Sequence, residues 1–184
     1  MKPMNARFAA MTASLAAMLT TGFGPLLFAQ IPPIPTPQPN LVNYQDEQFI
    51  KQLSQDIGTS YILALAAKNR ATKPAVRELG VQLTTGLQQA QQDVTTLSIK
   101  KDVILSNTLE AKSQTLVDTL SSASLDEFDS KYLETLLQYL PGLQKSCEAI
   151  VQTTADADLK AYAERLLPTI QARIDRIQAV RKDL

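Results

Sequence analysis

The sequence predicts an all-α protein, an antiparallel bundle of four long helices with one extra short helix. From Tyr44 to the C terminus, only three prolines and four glycines interrupt a chain dominated by Ala, Leu, Gln and Lys, which are good helix formers. Apolar residues recur at alternating steps of three and four, the spacing of one helix face, and strand-like alternation is absent. Because short connections separate these segments, we expect neighbouring helices to run antiparallel.

The first two predicted helices each carry one apolar face. In the first helix this face comprises Phe49, Ile50, Leu53, Ile57, Tyr61 and Ala64. The second helix is predicted to begin at Pro74, which has no N–H to leave unpaired in a first turn, with Thr72 as its N-cap. Its apolar face comprises Val76, Gly80, Leu83, Leu87, Ala90, Val94 and Leu97. Such faces are stable in water only when they are buried against other helices.

A short helix and a long helix are predicted next. The short helix begins near Asn107 and carries Leu109, Leu116, Val117 and Leu120. Ser124 and Glu127 have the spacing of a capping box, which predicts the start of the long helix. The apolar face of the long helix comprises Phe128, Tyr132, Leu136, Leu140, Leu143, Cys147 and Ile150. We interpret the acidic cluster Asp126, Glu127 and Asp129 as a solvated helix start.

The last predicted helix has Asp156 as its N-cap. Its apolar face comprises Leu159, Ala163, Leu166, Ile170, Arg173, Ile177 and Val180. Pro141 in the preceding helix and Pro168 in this one cannot donate a backbone hydrogen bond, so we expect both to bend their helices. These breaks favour a bundle over an extended coiled coil.

The N terminus has the pattern of a secretory signal. Lys2 and Arg7 precede an apolar stretch over residues 8–29 that contains no charge. A basic start, an apolar segment and a small residue at its end predict a signal peptide over residues 1–29, cleaved before Gln30. The alternative is an uncleaved membrane anchor, since the uncharged stretch is long enough to span a bilayer.

A proline-rich linker over residues 30–43 follows the predicted signal. Five of the ten prolines of the chain lie there, and such a segment favours an extended conformation that separates the signal from the domain. The predicted bundle domain then occupies residues 44–184. We expect the protein to be exported to the periplasm or the extracellular space, with membrane attachment only through an unprocessed signal.

Composition excludes several functional classes. The chain has 18 basic and 18 acidic residues, so it lacks the basic surface by which proteins bind nucleic acids. It contains no His and one Cys, which excludes the usual zinc and haem sites and the catalytic triads that need a His base. We find no catalytic constellation and no spacing of acidic residues typical of a calcium site. The sequence therefore predicts a non-catalytic protein without a metal or another cofactor.

Two polar residues, Arg173 and Thr59, fall on inward faces and are the candidate binding residues. Arg173 either forms an anion or carboxylate site inside the bundle or extends outward while Ile174 occupies the core, and we favour the second alternative. Thr59 is predicted to bond its own helix backbone. Cys147 is predicted to be a small buried side chain.

Several stretches resemble a known family of exported bacterial proteins. They are Phe49–Leu53, Leu63–Ala67, Pro74–Gly80, Glu127–Leu133 and Asp158–Pro168. The resemblance, to the domain-of-unknown-function 4142 family, covers roughly residues 45–180. It implies a ferritin-like helical bundle and an exported location, but no established activity.

The chain departs from that family at the positions that resemble a metal site. Family members place a Glu in the first helix and a His in each of three later helices. Aligned with them, the Glu position is Thr59 and the His positions are Leu87, Leu140 and Arg173. The resemblance therefore implies a bundle whose metal site has been replaced by apolar side chains and one arginine.

We therefore expect an exported helical bundle that binds or supports a partner protein, a cell-envelope component or a small apolar ligand. One alternative is an enzyme: a ferritin-like metal-binding or redox protein that uses carboxylates only, or a thiol-dependent activity at Cys147. Another is a bundle that associates with a lipid surface through its amphipathic helices.

Overall fold

The computed structural model describes residues 42–184. The predicted signal peptide and all of the proline-rich linker up to residue 41 lie outside the described residues. Five α-helices form in the described part, with no strand among them. They are α1 (Tyr44–Arg70), α2 (Pro74–Lys100), α3 (Ala111–Ser121), α4 (Leu125–Thr153) and α5 (Ala157–Lys182). The prediction of an all-α bundle with four long helices and one short helix is confirmed.

The four long helices form two antiparallel pairs, α1 with α2 and α4 with α5. The pairs meet where α1 packs against α4 and α2 packs against α5, while the short α3 packs on α1 and α4. At Gly80 the α1–α2 pair is especially close, because a Cβ there would lie 2.7 Å from the backbone nitrogen of Lys68. None of the helices in the described residues is both long and apolar enough to span a bilayer.

The predicted apolar faces supply most of the core, although Phe49 and Tyr61 of α1 are only partly buried against it. Every residue predicted on the faces of α2 and α4 is buried. On α5, Leu166 and Arg173 are only partly buried, and Ile174 lies in the core beside Ile170 and Ile177. Ile174 thus occupies the core position that the second alternative gives it, while Arg173 itself stays partly buried. The short helix begins at Ala111, so Leu109 precedes it.

Some helix ends were predicted correctly. Asp156 is the N-cap of α5 and accepts a 3.0 Å hydrogen bond from the backbone N–H of Leu159. Ser124 is the N-cap residue of α4, but its hydroxyl donates to the Glu127 carboxylate at 2.9 Å and makes no capping bond to the backbone. The capping box was therefore predicted at the correct residues, but the hydrogen bond from the Ser124 side chain to the backbone does not form.

The predicted role of Thr72 was wrong, and so was the solvated position of Asp129. Lys73 occupies the N-cap position of α2, with no side-chain cap of its own. The cap comes from α4, since the buried Asp129 carboxylate accepts the backbone N–H of Lys73 at 2.7 Å and the Thr72 hydroxyl at 2.6 Å. A carboxylate at this end also suits the helix dipole.

The short α3 is held against α1 by two side chains. Gln55 donates to the carbonyl of Thr108 at 2.9 Å and accepts the backbone N–H of Glu110 at 3.0 Å. At the C-terminal end of α1, Arg70 donates to the carbonyls of Leu120, Ser121 and Ala123. These bonds satisfy carbonyls that a helix end leaves unpaired, and they fix α3 over the α1–α4 side of the bundle.

Candidate functional site: a groove beside Arg173

An open groove of about 510 Å³ runs between α2 and α5. We call it the Arg173 groove. Its volume falls within the range of small-molecule sites, about 300–1,000 Å³. The α2 side contributes Leu79, Leu83 and Gly86, and the α5 side contributes Pro168, Arg173 and Arg176.

The Arg173 guanidinium packs against α2 at Gly86. A Cβ at this position would lie 3.5 Å from Nη2 of Arg173, so the guanidinium lies against the α2 backbone where no side chain intervenes. Glycine inside a helix destabilises it by about 0.5–1 kcal/mol relative to alanine. On α5, Arg176 is three residues beyond Arg173, a spacing that places both side chains on one helix face.

The Arg173 guanidinium has no counter-charge in the described part of the chain. The ion pairs within residues 42–184 all involve lysines. Burial lowers the pKa of Arg173, opposed only by the Tyr162 hydroxyl, with no contribution from a carboxylate. A sheltered charge without a partner is unfavourable. An anion bound in the groove would supply that partner.

Three of the four positions at which the family resemblance suggested metal ligands come together. Leu87, Leu140 and Arg173 line one small cavity between the helices, which Ser60 of α1 also lines. Thr59 is fully buried next to Ser60, and its hydroxyl donates to the carbonyl of Gln55 at 2.7 Å. Thr59 thus bonds its own helix as predicted, and it does not line the cavity.

These residues do not fit a metal ion. Leucine side chains carry no ligand atoms, and a guanidinium repels cations. Within residues 42–184, no group of three or more Cys, Asp or Glu side chains is arranged to hold a metal.

Cys147 is fully buried in the α4 face, as predicted. Burial and, to a smaller extent, the nearby Asp56 carboxylate raise the pKa of its thiol to about 12. Reactive thiols need an exposed, electropositive environment that lowers the pKa. Nothing around Cys147 therefore supports a thiol-dependent activity.

Sequence reasoning placed Arg173 but missed Gly86 and Arg176. A glycine inside an otherwise regular helical pattern was one available signal, since such a residue weakens the helix relative to alanine. The pairing of two arginines three residues apart on α5 was another. Neither signal identifies α2 as the helix that faces them.

A family model described as "Domain of unknown function (DUF4142)" matches residues 32–180. The chain belongs to the DUF4142 family. The DUF4142 match begins in the proline-rich segment and ends within α5, so it includes both sides of the Arg173 groove. This confirms the family resemblance found in the sequence.

The fold of this DUF4142 domain is similar to that of a solved structure, "Crystal structure of DUF305 fragment from Deinococcus radiodurans". The TM-score is 0.70 at 14% sequence identity, over 78% of this chain and 99% of the other. At that identity the similarity shows a shared fold alone. No curated protein matches the chain.

Proposed function

We propose that this protein is an exported, non-catalytic binding protein that holds a small ligand with an anionic group and an apolar portion in the Arg173 groove. The proposal depends above all on one observation, the partly buried Arg173 guanidinium without a counter-charge among the described residues. Export is proposed from the N-terminal signal pattern over residues 1–29.

The charge and shape of the groove favour an amphiphilic carboxylate. A guanidinium presents paired N–H donors that match the two oxygens of a carboxylate, and Arg176 adds a second positive charge nearby. Leu79, Leu83 and Pro168 offer apolar surface to an alkyl chain. A medium-chain fatty acid has both features.

A binding role fits this groove better than catalysis. Besides the two arginines, its lining residues are Leu, Gln, Gly, Pro, Thr and Ala. A nucleophile such as Thr169 needs an adjacent base to become reactive, and the groove lining contains no carboxylate or imidazole.

Calorimetric titration of the purified protein with decanoate tests the proposal. Hydrogen bonds to a charged group contribute about 1.5–3 kcal/mol, so Arg173→Met is expected to weaken decanoate binding by about tenfold or more. Arg181→Met removes the same charge from an exposed position of α5 and is the matched control, expected to change affinity less than about twofold. Equal affinity of both variants, or no binding of decanoate by the unaltered protein, would contradict the proposal. Decanol, which has the same chain without the charge, is expected to bind more weakly.

A second candidate, association with a lipid surface, is favoured by two exposed apolar side chains near the end of α2. Ile99 is 75% exposed and Ile104 is 85% exposed. Side chains of this kind bind membranes by inserting into the interfacial region. Flotation with anionic liposomes tests this candidate: the protein should float, and a variant with Ile99→Gln and Ile104→Gln should not.

A further inference from the structure

A second cavity of about 460 Å³ lies between α1, α3 and α4. We call it the Asp56 pocket. It shares none of its helices with the Arg173 groove, which lies between α2 and α5. Its ionisable residues are Asp56 on α1, Glu110 just before α3, Lys112 on α3 and Tyr139 on α4.

Asp56 is a buried carboxylate with one oxygen satisfied and one open. The residue is 8% exposed. Its Oδ1 accepts the Tyr139 hydroxyl at 2.5 Å and the Gln52 amide at 2.9 Å. Within the described residues Oδ2 accepts no hydrogen bond, and it is not among the fully enclosed atoms that lack a partner. Asp56 lines the pocket, and its Oδ2 is free to accept a hydrogen bond there.

The charges around Asp56 leave the pocket negative. Lys112 is near enough to favour the ionised form of Asp56, but it forms no ion pair with it, and Glu110 acts in the opposite direction. From α4, the Tyr139 hydroxyl donates to Asp56, and Cys147 on the same helix is near enough for the Asp56 carboxylate to raise the pKa of its thiol. Two carboxylates and one ammonium leave one negative charge uncompensated.

We propose that the Asp56 pocket binds a small organic amine, whose ammonium group donates to the open Oδ2 of Asp56. An ammonium supplies both the missing counter-charge and the missing donor. Gln138, Thr135 and Ser146 on the same walls provide polar contacts for the rest of the ligand. The Asp56 pocket would then bind a cation, whereas the Arg173 groove would bind an anion.

Proton linkage follows from the same geometry. Burial raises the pKa of Asp56, although the hydrogen bonds from Tyr139 and Gln52 oppose the shift. A bound ammonium favours the ionised carboxylate and lowers this pKa. Amine affinity is therefore expected to increase as the pH rises through the pKa of Asp56, and binding at mildly acidic pH is expected to release protons.

Two variants of the full chain separate binding from folding. Asp56→Asn keeps an Oδ1 acceptor for Tyr139 and Gln52 but removes the charge. Gly142→Leu fills the pocket from α4, where a Cβ meets no atom within 4 Å, and leucine is a better helix former than glycine. Asp175→Asn changes an exposed carboxylate on α5 and is the matched control.

The experiment is a calorimetric titration with 1,4-diaminobutane, with 1,4-butanediol as the uncharged analogue. The unaltered protein and Asp175→Asn should bind the diamine with affinities within about twofold of each other, while Asp56→Asn and Gly142→Leu should each lose about tenfold or more. The diol should not bind measurably. Unchanged affinity in both pocket variants, equal affinity for the diol, or no diamine binding by the unaltered protein would overturn the proposal.

Discussion

Lys101 and Arg173 are two sheltered cations in different surroundings. Lys101 lies just after α2, with its side chain 1% exposed, and its ammonium contacts Asp156 at 2.5 Å and Asp158 at 2.8 Å. Arg173 on α5 has no carboxylate partner among the described residues. The first cation joins the end of α2 to the start of α5 and is part of the structure. The second is still available to a ligand.

The presence or absence of a counter-charge distinguishes two kinds of sheltered charged side chain in this bundle. A sheltered charge that meets its opposite within the chain is compensated in the folded protein, and removing it leaves the partner buried and unpaired. A sheltered charge without an opposite lowers stability until a ligand binds. Lys101 belongs to the first class, and Arg173 and Asp56 belong to the second.

The largest effect is expected when a carboxylate replaces Leu87 in a protein that lacks Arg173. Leu87 is buried and lines the same cavity as Arg173. In an Arg173→Met background, Leu87→Asp should lower the free energy of unfolding by about 3–5 kcal/mol, because the new carboxylate has no partner. With Arg173 present the loss should be about 1–3 kcal/mol smaller, because the two charges form a pair. Urea unfolding of the four proteins measures this coupling. Strictly additive losses would mean that Arg173 does not face Leu87.

A smaller loss is expected from Lys101→Met. The substitution leaves the Asp156 carboxylate, 15% exposed, without its cation, and should lower the free energy of unfolding by about 2–4 kcal/mol. Lys100→Met is the matched control, since Lys100 is 54% exposed and, within residues 42–184, pairs with Asp158 alone. Its effect should be below about 1 kcal/mol. Equal effects in the two variants would contradict the structural role assigned to Lys101.

Asp56→Asn is expected to raise stability in a way that depends on pH. Burial raises the pKa of Asp56 in the folded protein above its ordinary value of 3.8. The folded state then binds the proton more tightly, so this group makes stability fall as the pH rises from about 4 through the folded pKa. Asparagine removes that loss, and the Tm of the variant should exceed that of the unaltered protein at pH 7 and equal it near pH 3. An equal Tm difference at both pH values would show that the charge of Asp56 is not responsible.

The smallest effect is expected from Arg173→Met alone. Because no carboxylate is left unpaired, the free energy of unfolding should stay within about 1 kcal/mol or increase. Chemical denaturation of the Arg173→Met and Lys101→Met variants under the same conditions compares their free energies of unfolding directly. A loss as large as that of Lys101→Met would mean that Arg173 is part of the structure, and the proposed binding function would lose its main support.

The apolar faces could be predicted from the sequence because helical periodicity is a local property. The spacing of Val76, Leu83 and Leu87 specifies one side of a helix whatever packs against it. The same holds for the cap at Asp156, whose hydrogen bond joins residues three apart.

The partners of the charged groups could not be predicted in this way. Asp129 caps a helix 56 residues away, and Tyr139 bonds Asp56 across 83 residues. Local sequence carries no signal for such pairs. Asp129 was predicted to be solvated because it falls in one acidic cluster with Asp126 and Glu127 at a helix start, and only these two neighbours are exposed. The spacing that placed Arg173 on its helix likewise carries no information about its counter-charge.

The cap that Asp129 provides for α2 links the two helical pairs during folding. The first turn of α2 acquires its carboxylate acceptor only after α4 has docked. Amide protons at Lys73 should therefore exchange with solvent through an opening that separates α4 from the α1–α2 pair, and not through fraying of α2 alone. Hydrogen exchange at the start of α2 therefore measures how readily the two helical pairs separate from each other.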